Sequence, residues 1–266
     1  MRVIKEEKSD YARRGFLLLE SQLGPSEVTL LQEGVEGLLA AEEERLVRER
    51  DGAAVRSVYA IHAEESVFSR LACDARIVEP ARRFLGGDVY LYQSKLNIKS
   101  PFVGDRWEWH QDYTFWRAED AMVAPRVLTA AVYLDEIGEF NGSLVVIPGS
   151  HRDGIVECSP WEAPKGKSEL AGYTSASLKY SVSREEVARL VRQGGLVAPK
   201  GPAGSILFFS GCLVHASGVN LSPFPRTLAL YTYNRVDNAP TRAPRRPWFL
   251  HGRDVCPIEP VYSALM

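Results

Sequence analysis

The chain has 266 residues, 45% hydrophobic and 25% charged, which is enough apolar content for a substantial core; one domain spanning 1–266 is the expected arrangement. Its 32 basic and 34 acidic side chains leave a net charge of −2, and no basic stripe interleaved with aromatics occurs, which argues against a nucleic-acid partner. Cys73, Cys158, Cys212 and Cys256 are widely spaced and read as reduced thiols; with no apolar leader and no run of roughly 20 apolar residues, a soluble cytoplasmic protein without membrane contact is expected.

The first part, 1–87, reads as mainly helical. A helix through Tyr11 ends on Gly15, and Phe16 to Leu19 forms a short buried strand. Pro25 then opens a long helix with Val28, Leu31, Val35, Leu38 and Leu39 at helical spacing, continuing toward Val47. A second helical stretch covers 65–85, with interruptions expected near Asp74 and at Pro80.

From Asp88 the pattern changes to strands, giving a core over 88–240. Residues 89–98 alternate, with Tyr90, Tyr92, Ser94, Leu96 and Ile98 on one face and Leu91, Gln93, Lys95 and Asn97 on the other. That second face is either solvent-exposed or the wall of a polar cavity. The aromatic segment 107–113 reads as another strand, and further strands are expected at 127–133, 143–147, 205–209 and 228–233. Strands broken by Gly and Pro turns imply a sandwich or open barrel, able to hold a ligand in its mouth. Near 152–200 the strand signal lapses: 158–179 reads as a long, lid-like loop, and Ser183 caps a helix that runs to about Val191. Residues 241–266 form a C-terminal tail.

Within this frame His110 and Asp112 stand two apart, and His215 follows about a hundred residues later. On a strand, residues two apart share a face with Cα atoms roughly 6.6 Å apart, so both side chains can reach one metal ion. Two imidazoles and a carboxylate on one side of the ion, with the other side open, is the ligand set of a non-haem iron(II) centre. Arg226 begins an apolar strand after the loop that follows His215, so its planar fork can return beside the site and clamp a carboxylate. A metal with a carboxylate clamp points to a 2-oxo acid cosubstrate.

The segments 88–97, 104–113, 141–144 with 148–151, and 231–234 together resemble the phytanoyl-CoA dioxygenase superfamily of iron(II)- and 2-oxoglutarate-dependent oxygenases, over about 11–257. Within it, the chain is most similar to bacterial hydroxylases of free amino acids, of the proline, leucine and pipecolic acid type; ectoine hydroxylase looks more distant. The resemblance implies a mainly β fold with flanking helices, built on a double-stranded β-helix (jelly-roll, cupin-like) core. It implies His110, Asp112 and His215 as iron ligands, Arg226 on the distal carboxylate of 2-oxoglutarate, and Gln93, Asn97, Thr129 and Ser217 as further cosubstrate contacts. Candidates for substrate contact are Arg56, Ser57, Tyr59, Trp116, Arg117 and Asp120, with Val55 and Glu119 beside them. The chain departs from the family at Asn141-Gly142-Ser143 and Asp120-Ala121-Met122, where relatives often carry Asn-Gly-Pro and Asp-Gly-Met.

The implied reaction hydroxylates an unactivated C–H of a small molecule, a free L-amino acid in natural-product biosynthesis, using O2 and releasing succinate and CO2, with ascorbate as reductant in vitro. Asp112 favours hydroxylation over halogenation, since related halogenases have a small residue there. Another small or carrier-bound substrate, desaturation or cyclisation, and a non-catalytic jelly-roll binding protein, or a cupin-like one holding another metal, remain the alternatives.

Overall fold

The computed structural model describes residues 2–40, 43–50, 52–160, 171–174, 178–242, 246–263 and 265. The expected lid over 158–179 falls largely on 161–170 and 175–177, outside the described residues.

Helix α1 (Arg2–Arg14) stops at Gly15, whose φ of 83° suits glycine and whose N–H donates to Tyr11 O at 2.7 Å. The chain then enters strand β1 (Phe16–Leu19). Helix α2 (Pro25–Leu39) starts with Pro25 in its first turn, and the Glu27 carboxylate accepts from Gly24 N at 2.9 Å. The expected continuation toward Val47 does not occur. Instead β2 (Leu46–Arg48) pairs antiparallel with β3 (Val55–Tyr59), Leu46 opposite Val58 and Val47 opposite Ser57. Valines at both strands favour extended backbone, and β3 gains a further partner from a strand distant in sequence, which helical spacing does not reveal.

Helices α3 (Val67–Ala72) and α4 (Ala75–Leu85) break at Asp74 as expected, because its carboxylate caps α4 by accepting from Arg76 N at 2.8 Å. Pro80, in contrast, lies inside α4. Ile77, Val78 and Ala81 are fully buried around it, and that burial outweighs one missing backbone hydrogen bond.

The remaining elements are β4 (Val89–Lys99), β5 (Trp107–His110), α5 (Asp112–Asp120), β6 (Val127–Tyr133), β7 (Leu144–Val146), α6 (Ala171–Thr174), α7 (Arg184–Gly194), β8 (Ile206–Ser210), β9 (His215–Ser217) and β10 (Arg226–Arg235). They form two antiparallel sheets, one ordered β1-β8-β6-β10-β4-β3-β2 and the other β5-β9-β7. Leu144 and Val146 of the smaller sheet pack against Ala131, Phe209, Leu228 and Leu230 of the larger one. The outer face of the large sheet, with Leu96, Leu128, Ala130, Phe208, Ala229 and Tyr231, is covered by Leu31 of α2, Phe68 and Leu71 of α3 and Ile77 and Val78 of α4. Two sheets flanked by helices make the mainly β jelly-roll expected. Among the described residues, no helix is long and apolar enough to cross a membrane.

Strand β4 runs through the middle of this arrangement, between β10 and β3. Its face carrying Gln93, Lys95 and Asn97 turns inward: Gln93 and Asn97 are buried, and all three line the interior. The polar alternation thus marks a cavity wall rather than a solvated surface. A bulge against β10 falls at Tyr92, next to Gln93, and re-aims the strand there.

Candidate metal and cosubstrate centre

His110 ends β5 and is cross-strand partner to His215 on β9, which fixes the two imidazoles side by side with ring centroids 4.2 Å apart. The expected strand through 107–113 stops at His110, and Asp112 is the first residue of α5. The turn is set by Gln111, whose buried amide donates to Gly154 O (2.7 Å) and Cys212 O (2.6 Å) and accepts from Val156 N (3.0 Å). Asp112 still reaches the site, its Oδ1 3.7 Å from His110 Nε2. One donor atom from each of His110, Asp112 and His215 lies within 4.8 Å of the others.

Both histidines are oriented through their other nitrogen. His110 Nδ1 bonds Glu108 O at 2.6 Å and His215 Nδ1 bonds Leu213 O at 3.0 Å, which directs each Nε2 to the common point. Burial, reinforced by His215, pushes the His110 pKa down to about 3, keeping its imidazole neutral as a ligand must be.

Arg226 opens β10 and is fully enclosed. Its Nε and Nη2 donate to Gly142 O (3.1 and 2.8 Å) and its Nη1 to Asn97 Oδ1 (3.2 Å). Among the described residues no carboxylate lies within ion-pair distance of it. Burial pushes its pKa down to about 9, with Tyr133 opposing that shift and Arg56 adding to it. A buried cation without an anion is costly, and a bound carboxylate relieves the cost. Lys99, the cross-strand partner of Arg226, donates to Asp105 O (2.6 Å) and Gly218 O; burial, then Arg226, lowers its pKa to about 6.

Two small chambers meet at the triad. One is walled by Asn97, Leu144, Phe209, Ser217, Arg226 and Leu228, the other by Tyr59, Gln93, Phe115, Trp116, Arg246 and Leu250. Lys95, Trp107, His110 and Asp112 border both. A roomier surface groove of about 570 Å³ between loops 135–141 and 221–225 contains none of the triad.

Most of the expected residues line these two chambers, and the others lie outside them. Asn97 and Ser217 lie in the chamber of Arg226, and the Ser217 hydroxyl is buried without a hydrogen-bond partner among the described residues. Gln93, expected beside the cosubstrate, lines the opposite chamber, its amide donating to Leu250 O at 2.6 Å. Thr129 lines neither chamber and bonds Thr232 across the sheet at 3.0 Å. Of the substrate candidates, Tyr59 and Trp116 line the second chamber. Arg56 is instead locked to Glu49 (3.1 Å) and Arg106 O (2.7 Å), Ser57 is buried outside both walls, and Arg117 points to solvent on α5. Asp120 is a buried partner of Arg246 and Tyr92, and Glu119 accepts from Lys179 and Tyr180; the physical reason in each case is that a charge enclosed by the fold finds a partner there. Lys95, Trp107, Phe115, Arg246 and Leu250 were not anticipated. Lys95 shares its strand face with Gln93 and Asn97, whereas Arg246 and Leu250 arrive only through tertiary folding of the C-terminal segment.

A jelly-roll that presents two histidines, one aspartate and a buried arginine around one cavity is the frame of a metal-dependent oxygenase. The model of the phytanoyl-CoA dioxygenase family matches residues 11–228, and the chain belongs to that family. It is 38% identical over 254 residues to L-proline trans-4-hydroxylase of Streptomyces griseoviridis, covering 96% of this chain and 94% of that one. It is also 38% identical over 254 residues to ectoine dioxygenase of Sphingopyxis alaskensis, covering 91% and 81%. The crystal structure of EctD from S. alaskensis with 2-oxoglutarate and 5-hydroxyectoine superposes with a TM-score of 0.83 at 34% identity, covering 98% of this chain and 88% of that one. The donor set of the triad, and a buried Arg226 with no carboxylate partner among the described residues, fit an iron(II) ion and a 2-oxo diacid.

Proposed function

We infer that the protein is an iron(II)- and 2-oxoglutarate-dependent dioxygenase that hydroxylates an unactivated C–H of a free L-amino acid or a close cyclic derivative. The observation that carries the reading is a His-Asp-His triad sharing one chamber with a buried arginine that has no carboxylate partner among the described residues. Similarity to the proline hydroxylase along nearly the whole of both chains supports the amino acid class.

His110, Asp112 and His215 would hold the metal on one side, and the metal supplies activation of O2 coupled to decarboxylation of the 2-oxo acid. Arg226, steadied by Gly142 O and Asn97, binds the far carboxylate and orients the cosubstrate along its chamber. The second chamber receives the substrate. Gln93 keeps a carbonyl oxygen as acceptor for an ammonium group, since its NH2 is committed to Leu250 O. Lys95 has no ion-pair partner among the described residues and offers charge for a carboxylate, lying 5.7 Å from the Tyr59 ring and 5.5 Å from that of Trp107. Phe115, Trp116 and Leu250 exclude water around the hydrocarbon part.

The test is mass spectrometry of the protein with iron(II), 2-oxoglutarate, ascorbate and a panel of proline, pipecolate, leucine and ectoine. A gain of one oxygen atom matched by succinate is expected for at least one member. Turnover confined to carrier-bound or CoA-linked substrates would contradict the assignment.

A further inference from the structure

We propose that the indole N–H of Trp107 donates a hydrogen bond to the metal-proximal carboxylate of the 2-oxo acid, and that Arg56 is the positioning residue that fixes the ring for this; the inference rests on the cosubstrate reading above. Trp107 lies three residues before His110 on β5 and directly opposite Ser217 on β9. With Lys95, His110 and Asp112 it borders both chambers, so it stands at the metal end of the cosubstrate, whereas Arg226 borders one chamber and stands at the far end. The side chain is 7% exposed, and its Nε1 is buried with no hydrogen-bond partner among the described residues. Orphaned buried donors are rare in native folds. Indole N–H can only donate, so its partner must be an acceptor. A 2-oxo acid chelating a metal through its keto oxygen and one carboxylate oxygen keeps a second carboxylate oxygen free for this.

The ring is held rigidly for that task. The Arg56 guanidinium lies 3.8 Å from the Trp107 ring centroid. Arg56 is itself fixed through Nη1 to Glu49 Oε2 (3.1 Å), Nη2 to Arg106 O (2.7 Å) and Nε to Thr174 O (3.2 Å), and Glu49 Oε1 accepts from Asp105 N (3.1 Å). Arg56 thereby grips the backbone leading into Trp107 as well as the face of its ring, without bordering either chamber.

Trp107→Phe keeps an aromatic ring for the stack and removes the N–H. In manganese(II)-loaded protein, calorimetry is expected to show about tenfold weaker binding of 2-oxoglutarate, and of oxalate, which presents only the chelating end. Arg56→Lys is expected to weaken both ligands in the parent but to add nothing in the Trp107→Phe background, a coupling that a merely structural role would not produce. In the zinc(II)-loaded parent, whose folding is not in question, the Trp107 indole N–H resonance is expected to move downfield on adding oxalate. Parent-like binding of both ligands by a folded Trp107→Phe, or an unmoved indole resonance, overturns the proposal. Loss for 2-oxoglutarate alone overturns the choice of carboxylate, and equal Arg56→Lys losses in both backgrounds overturn the positioning role. A parent protein that takes up manganese and binds neither ligand overturns the cosubstrate reading itself.

Discussion

Arg226→Met separates what the arginine does for the fold from what it does for the ligand. An arginine whose folded pKa burial has lowered from its ordinary value to about 9 destabilises the fold at every pH below about 9, and the cost fades as pH rises above that value. At about 1.4 kcal/mol per unit the cost is on the order of 4–5 kcal/mol. Its three hydrogen bonds, two to Gly142 O and one to Asn97, offset about 3 kcal/mol of this. Removing the charge and the bonds together leaves the unliganded protein within about 2 kcal/mol of the parent. Loss of a buried charge pair with the cosubstrate costs about 2–5 kcal/mol, so 2-oxoglutarate binding falls by roughly 30-fold to several thousandfold. Calorimetry with 2-oxoglutarate and melting temperatures with and without it measure both effects. The expected outcome is a melting temperature near that of the parent that 2-oxoglutarate no longer raises. Binding within threefold of the parent would refute the role of Arg226.

Gln93→Leu is expected to raise the KM for the amino acid about tenfold and leave the 2-oxoglutarate Kd unchanged, because Gln93 borders only the second chamber; titration of each ligand at saturation of the other distinguishes the two. Asp120→Asn removes the anion from the buried Arg246 pair and is expected to cost about 3–5 kcal/mol in denaturant unfolding, a loss too large for a residue that merely touched substrate. Arg76, together with the Gly24 N–H, pulls the Glu27 carboxyl down from 4.5 to about 2. Its contribution is therefore complete above pH 4.5 and lost as pH falls toward 2. Partial exposure of Arg76 screens the pair, so about 1–2 kcal/mol is expected. Unfolding midpoints across that window should slope less in Glu27→Gln.

Local chemistry made much of this molecule legible in the sequence. The helix break near Asp74, the turn at Gly15, the strands and the alternation of Gln93, Lys95 and Asn97 all act over a few residues, so spacing alone reports them. The triad is legible from the spacing of His110, Asp112 and His215, but its support is not. Asp112 sits on a helix rather than on the strand of His110, because Gln111 is captured by backbone groups of Gly154, Val156 and Cys212, which are remote in sequence. The β2–β3 hairpin was hidden for the same reason, since β3 is completed by its pairing with β4. Charged side chains are the least legible. Arg56, Asp120 and Glu119 look like substrate contacts in the chain, yet each is neutralised by a partner that only the fold supplies.

The most direct test of the proposed centre is an anaerobic titration of the protein with iron(II) and then 2-oxoglutarate, followed by metal analysis and by the visible absorption of the iron–2-oxo acid chelate. One iron per chain and a chelate band that forms at one equivalent of 2-oxoglutarate are expected. Iron uptake should be lost in Asp112→Ala, and the band should be weakened in Arg226→Met. Absence of iron binding, or a band unchanged in both variants, would contradict the assignment of these residues to a single metal and cosubstrate site.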